Sequence, residues 1–268
     1  MRALPDEYDL IPRRRYFGII PSLRLWILPD LIVGRVWART LHLTASVNRD
    51  DFPPRLTKEF GFPQEKLRVV YNGVIIPEDV PDIQDRLTNK TRFGFEPQAF
   101  LAAYVGRISE EKGIRHAIDA VAACDPRVHL IVAGEGDQLE TLKVYVEHLG
   151  LSSRIRFIGY VSDPFSIFSA ADVALVPSLW NEAFGRVVVE AMACGTPVIA
   201  TTVGGMRELF TDGKEGIYVA KADTQAISAA IKRFLSDPVR LQEMARAARQ
   251  LVELRYTTQR VVAEYSNL

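Results

Sequence analysis

The chain has 268 residues, 48% of them apolar and 25% charged. At about 150 residues per domain, that length makes one large domain or two smaller ones. Glycine (17) and proline (15) stay at background level, which excludes collagen-like, low-complexity and wholly disordered chains. Lys plus Arg and Asp plus Glu number 33 each, so the formal net charge is zero and no basic surface for nucleic acid is implied. The balance shifts along the chain. Residues 1–74 hold 12 basic and 8 acidic groups, and the remainder holds 21 and 25. The two cysteines, Cys124 and Cys194, make neither a zinc spacing nor a disulfide framework, so a reducing compartment is expected.

In chain order, the opening MRALPDEYDL lacks the basic-then-apolar layout of a secretory signal. The apolar stretch 16–37 is broken by Pro21, Arg24, Pro29, Asp30 and Arg35, which makes it a poor membrane span. LHLTASV (41–47) reads as a strand, and a helix is expected near residues 54–60. KLRVVYNGV (66–74) carries a turn signal at Asn72-Gly73. PEDVPDIQD (77–85) reads as an exposed linker, which places a domain boundary near residue 75.

From residue 99 the pattern becomes regular. Apolar runs at 99–105, 128–134, 154–159, 172–177, 197–201 and 216–219 read as strands. Helical spacing separates them over Ile114–Cys124, Gln138–His148, Gly185–Cys194 and Thr224–Leu235. Continuous apolar strands alternating with helices predict an α/β fold, a Rossmann-like doubly wound parallel sheet covered on both faces. Ligands in such sheets bind outside the carboxyl ends of the strands. The turn residues there are therefore the informative ones: Gly106-Arg107, Gly134-Glu135-Gly136, Gly159, Pro177-Ser178 and the run from Thr202 to Gly205.

Three constellations sit at those ends. Arg107 and Lys112, flanked by Gly106 and Gly113, put a planar fork and a point charge into one loop, a combination suited to a diphosphate. Glu110 and Glu111 beside them leave a solvated basic loop as the alternative. Glu182 and Glu190 are separated by seven residues. The first falls in a loop before a helix and the second about two turns along it, among small apolar residues. A carboxylate there needs a partner, and ribose hydroxyls are one candidate. A capping Glu182 with an ion-paired Glu190 is the alternative. The run Gly204-Gly205-Met206-Arg207-Glu208 is read as structural. Trp180 either lines the pocket or packs on the surface.

Other chemistries find no support in the sequence. There is no phosphate-loop GxxxxGK[ST], no HExxH, no GxSxG and no Asp-x-Asp pair, and GEG at 134–136 lacks a third glycine. His42, His116, His129 and His148 are scattered, so no metal site is expected.

VVYNGV, YVGRISEEKGI, IVAGEGD, RIRFIGYV and PSLWNEAFGRVVVEAMACGTPVIATTVGG occur in one order. Together they resemble the nucleotide-sugar-binding half of GT-B-fold retaining glycosyltransferases, the group 1 family (family 4), over roughly residues 40–265. The resemblance implies transfer of a hexose from a UDP- or GDP-type sugar to a saccharide or lipid-linked acceptor. It implies retention at the anomeric carbon and no metal or other cofactor. By motif, Arg107 and Lys112 clamp the diphosphate, Glu182 meets the hexose and Glu190 meets the ribose. Backbone amides of Ala183, Phe184, Gly185, Arg186 and Val187 face sugar and phosphate. The loops Gly134–Gly136 and Gly159–Val161, with Glu135 and Tyr160, flank the base, and Gly106 lets the backbone approach the donor.

Family members carry a full N-terminal domain. Here residues 1–74 resemble only its last part, residues 75–250 form the donor domain, and 251–268 a helix crossing back. The chain is thus expected to be a fragment, a truncated product or half of a two-chain enzyme. Residues 16–37 offer an apolar surface for a partner chain or a membrane, on a cytoplasmic protein that is peripheral at the membrane. A donor-binding subunit without its own activity is the alternative. A GT-B sugar-nucleotide epimerase ranks low, because it would lack the Glu182–Glu190 pattern.

Overall fold

A computed structural model describes residues 44–46, 57–58, 61–77 and 83–267. Two compact units divide the chain, Met1–Val69 and Val70–Leu268. In the first, strands β1 (Thr44–Ser46) and β2 (Leu67–Val69) pair in parallel, with Ala45 opposite Arg68. Of the helix expected near 54–60, only Thr57 and Lys58 are described, and both are helical. The apolar stretch 16–37 lies outside the described residues.

The second unit holds a six-stranded parallel sheet: β3 (Phe100–Val105), β4 (Val128–Ala133), β5 (Ile155–Gly159), β6 (Val173–Val176), β7 (Val198–Thr201) and β8 (Gly216–Val219). These are the six apolar runs of the sequence. Their spatial order is β5-β4-β3-β6-β7-β8, the order of a dinucleotide-binding sheet. β6 and β7 are buried along their whole length, as strands covered on both faces must be.

The helices are α1 (Ile83–Arg92), α2 (Ile114–Ala122), α3 (Leu139–His148), α4 (Pro164–Ala170), α5 (Arg186–Ala193), α6 (Thr224–Ser236), α7 (Pro238–Arg255) and α8 (Thr258–Ser266). Side chains start several of them. Asp163, Asp223, Asp237 and Thr257 each accept from a first-turn amide. At the other ends, arginines satisfy last-turn carbonyls. Arg86 on α1 donates to Ala171, Cys194 and Gly195 carbonyls, so it ties α4 to α5. Arg154 does the same for Val121 and Asp125 after α2.

Two local expectations are corrected. α1 begins at Ile83, inside the stretch read as linker. Asn72-Gly73 is not a turn: a Cβ on Gly73 would stand 2.9 Å from the Thr258 Cα. The glycine is needed for a close approach, and beside it Val74 bridges to Thr257.

Candidate functional site

The strand order reverses between β3 and β6. To one side the chain winds β3, β4, β5, and to the other β6, β7, β8. Loops that leave such a reversal point diverge and open a crevice. Here those loops are Gly106–Gly113 and Pro177–Gly185.

Backbone contacts hold the two loops together. Leu179 N–H donates to the Glu111 carbonyl at 2.8 Å. Gly113 has φ +67, and a Cβ on it would lie 2.0 Å from the Pro177 carbonyl oxygen, so only glycine fits. Across this seam Lys112 Nζ meets Glu182 Oε1 in an ion pair. Ser178 Oγ donates to the same oxygen at 2.6 Å. Lys112 and Glu182 are both about three-quarters buried, 24% and 20% exposed. The Glu182 main chain is fixed as well, since its carbonyl accepts from Gly205 N–H at 2.7 Å. Any Cβ on Gly204 would overlap that carbonyl at 2.2 Å. The glycine run at 204–205 thus acts structurally, by seating the Glu182 loop.

Arg107 stands apart from this pair. Its side chain is 66% exposed and bridges to Glu111 at 3.4 Å. Its carbonyl accepts from the Tyr104 hydroxyl at 2.6 Å, which pins the loop to β3. Burial raises the Tyr104 pKa, and the Glu182 charge raises it further, so that hydroxyl stays a donor.

Glu190 lies on α5 and is buried. Arg186 Nε donates to its Oε1 at 2.6 Å. Burial pushes the Glu190 carboxyl above the ordinary range, and Arg186 pulls it back. Gly185 caps α5 at φ +85 without a side-chain bond, and the first amides of a helix have no partner within it. The Phe184 ring packs in the interior against Tyr71 and Tyr256, so only its main chain can face a ligand. Ala183 is exposed and Val187 half-buried.

The loops after β3, β4 and β5 are also sewn together. Gly106 N–H donates to Ala133, Ile108 N–H to Glu135, and Gly134 N–H to Gly159. A Cβ on Gly134 would sit 1.9 Å from the Gly106 carbonyl oxygen. Glu135, Gly136 and Tyr160 are exposed at this rim and Val161 is half-buried.

Among the described residues no hydrogen bond or ion pair joins the Lys112–Glu182 pair to the Arg186–Glu190 pair, or Arg107 to either. What the fold brings together is their loops. The sequence signalled the acids and the cations but not how they pair, and Ser178 stood out only as a turn residue. His116 and His129 pack beside Thr224 and Phe95. No cluster that could hold a metal ion occurs among the described residues, and none of their helices is long and apolar enough to cross a membrane.

A parallel sheet of this order, with charged loops at its reversal point, defines a Rossmann-like domain. The family model of Glycosyl transferases group 1 matches residues 85–251, more than half of the chain, and the chain belongs to that family. A D-inositol 3-phosphate glycosyltransferase of Geodermatophilus obscurus is 34% identical over 233 residues, 82% of this chain and 51% of that one. A glycogen synthase of Mycobacterium tuberculosis is 36% identical over 152 residues, 55% of this chain and 36% of that one. Among solved structures, HepE of Anabaena in complex with UDP superposes with a TM-score of 0.81 at 27% identity, over 93% of this chain and 70% of that one. The same protein with UDP-glucose gives 0.78 at 27%, over 92% and 70%. This chain spans about half the length of the D-inositol 3-phosphate relative.

Proposed function

We propose that the second unit binds a nucleoside diphosphate sugar in the crevice between the β3 and β6 loops and takes part in transferring its hexose, with retention, as a family 4 enzyme. The observation that carries the reading is the Lys112–Glu182 pair across the loop seam. It sets a cation and an acid side by side where the sheet opens. An incoming donor offers both of them a partner: diphosphate oxygens for Lys112, and hexose hydroxyls for Glu182.

The chemistry follows from charge. Breaking the anomeric bond leaves negative charge on the departing diphosphate. Lys112, and Arg107 once released from Glu111, stabilise it; an exposed bridge costs at most about 1 kcal/mol to break. Fixed cations aimed at developing charge are a large catalytic term. The amides of Arg186 and Val187 at the start of α5 add the positive end of a helix dipole. Glu190 accepts from the ribose hydroxyls, and the rim at Glu135, Gly136, Tyr160 and Val161 flanks the base. HepE, the neighbour solved with UDP and UDP-glucose, supports a uridine donor, with guanosine as the competitor. The acceptor is a saccharide or a lipid-linked sugar, and the setting cytoplasmic, with residues 16–37 as the surface toward a partner chain or membrane.

The test is to incubate the chain with UDP-glucose or GDP-mannose and a panel of sugar acceptors, and to read the product's anomeric configuration by NMR. The expected product keeps the donor's configuration; an inverted product contradicts retention. Binding without turnover favours a donor-binding subunit that needs a partner chain.

A further inference from the structure

Helix stability does not explain Arg186. It opens α5, where the helix dipole disfavours a cation. Its partner Glu190 lies four residues later, and cation-first is the weaker orientation for an i,i+4 pair. Yet the Arg186 side chain, 72% exposed, reaches back to a carboxylate that is only 12% exposed.

We infer that Arg186 is a positioning residue that holds Glu190 as an ionised, acceptor-only carboxylate turned toward the two ribose hydroxyls of the donor. The inference rests on the reading of Glu190 as the ribose acceptor. A carboxylate offers about four lone-pair sites. Arg186 Nε takes one on Oε1, which leaves Oε2 and one Oε1 site for two O–H donors. A protonated carboxyl would present a donor of its own and lose acceptor capacity. Burial favours that protonated form and Arg186 opposes it.

No neighbouring element supplies a substitute charge. β6, β7 and α4 pack against α5 and carry no charged residue. Arg86 from α1 and Arg249 from α7 engage carbonyls at the opposite, C-terminal end of α5. Of the charges on α7, Arg240 pairs with Glu243 and Arg249 with Glu253, Arg246 is exposed to solvent, and Arg255 stacks over Tyr71 and Tyr256. Ahead of the helix, Lys112 is committed to Glu182. Beyond β7, Glu208 accepts from Tyr71.

The sign of the effect is fixed. Without Arg186, burial acts unopposed, Glu190 takes up a proton at higher pH, and ribose binding fails as pH falls through that raised value. The experiment titrates UDP-glucose and GDP-mannose into the wild-type chain, Arg186→Gln and Arg186→Lys between about pH 8 and about pH 5.5, a window that spans a raised carboxylate. Both probes are diphosphate diesters whose charge is constant there, so any acid limb belongs to the protein. Arg186→Gln is expected to lose affinity on the acid side by about tenfold per pH unit, with a midpoint above that of wild type. Arg186→Lys moves the midpoint back toward wild type. Thermal melts confirm folding, which an exposed arginine does not control. A profile of unchanged shape in Arg186→Gln, whether or not affinity drops uniformly, overturns the inference alone. Failure of folded wild-type protein to bind either probe overturns the donor-site reading and the inference with it.

Discussion

The two ion pairs that follow β3 and β6 are built in opposite ways. Lys112 and Glu182 are 70 residues apart and meet only because the sheet order sets their loops side by side. Glycine contacts and the Leu179–Glu111 bond hold that seam. Arg186 and Glu190 sit one turn apart on a single helix and would meet in almost any setting of α5. The first pair therefore depends on the topology and the second on local helix geometry. Changes at the first should disturb chemistry and fold together, while changes at the second should disturb ligand recognition with little effect on the fold.

The predictions run from the sharpest break in that contrast to the mildest. Replacing either cation proposed to clamp the diphosphate, Arg107→Ala or Lys112→Ala, should slow donor turnover at least about a hundredfold, or roughly 3–4 kcal/mol of barrier by analogy with the loss of an oxyanion donor. Steady-state donor consumption reads this, and a near-normal rate refutes the clamp. Gly113→Ala should undo the seam itself. A left-handed φ costs about 1–2 kcal/mol, and overlap with the Pro177 carbonyl adds about as much. The sum lowers the melting temperature by roughly 10 °C. Gly150→Ala has a similar φ of +69 but open space around it, so it should cost only about 1 kcal/mol; equal losses in the two variants would show that the seam is not tight. Ser178→Ala removes one hydrogen bond to Glu182 and should weaken donor binding about fivefold, near 1 kcal/mol, as calorimetry would register. Smallest is the stability change in Arg186→Gln, about 0.5 kcal/mol or less at neutral pH, read from a urea melt. A loss as large as that of Gly113→Ala would erase the distinction between the pairs.

The same contrast explains what was legible in the sequence. All six strands of the sheet came from apolar runs, because a strand buried on both faces must be continuously apolar. α2, α3, α5 and α6 came from helical spacing. α1, α4 and α7 escaped notice. For α4 and α7 a local signal existed, Asp163-Pro164 and Asp237-Pro238, an N-cap followed by proline at the first helical position. Arg107, Lys112, Glu182 and Glu190 stood out by residue type and by motif. Their pairing did not, because the Lys112–Glu182 contact is set by strand order and Ser178 gains its role only when the loop folds back onto Glu182. Asn72-Gly73 misled for a related reason: the demand on that glycine comes from α8, nearly 190 residues away, and no local pattern reports it.

The central claim is that the crevice at the sheet's reversal point receives a nucleotide sugar. Calorimetric titration of UDP-glucose into the wild-type chain, Lys112→Ala, Glu182→Gln and Glu190→Gln tests it most directly. The account predicts saturable one-to-one binding to the wild type, weakened at least about tenfold, near 1.4 kcal/mol, by each substitution. Unchanged affinity in all three folded variants would contradict it.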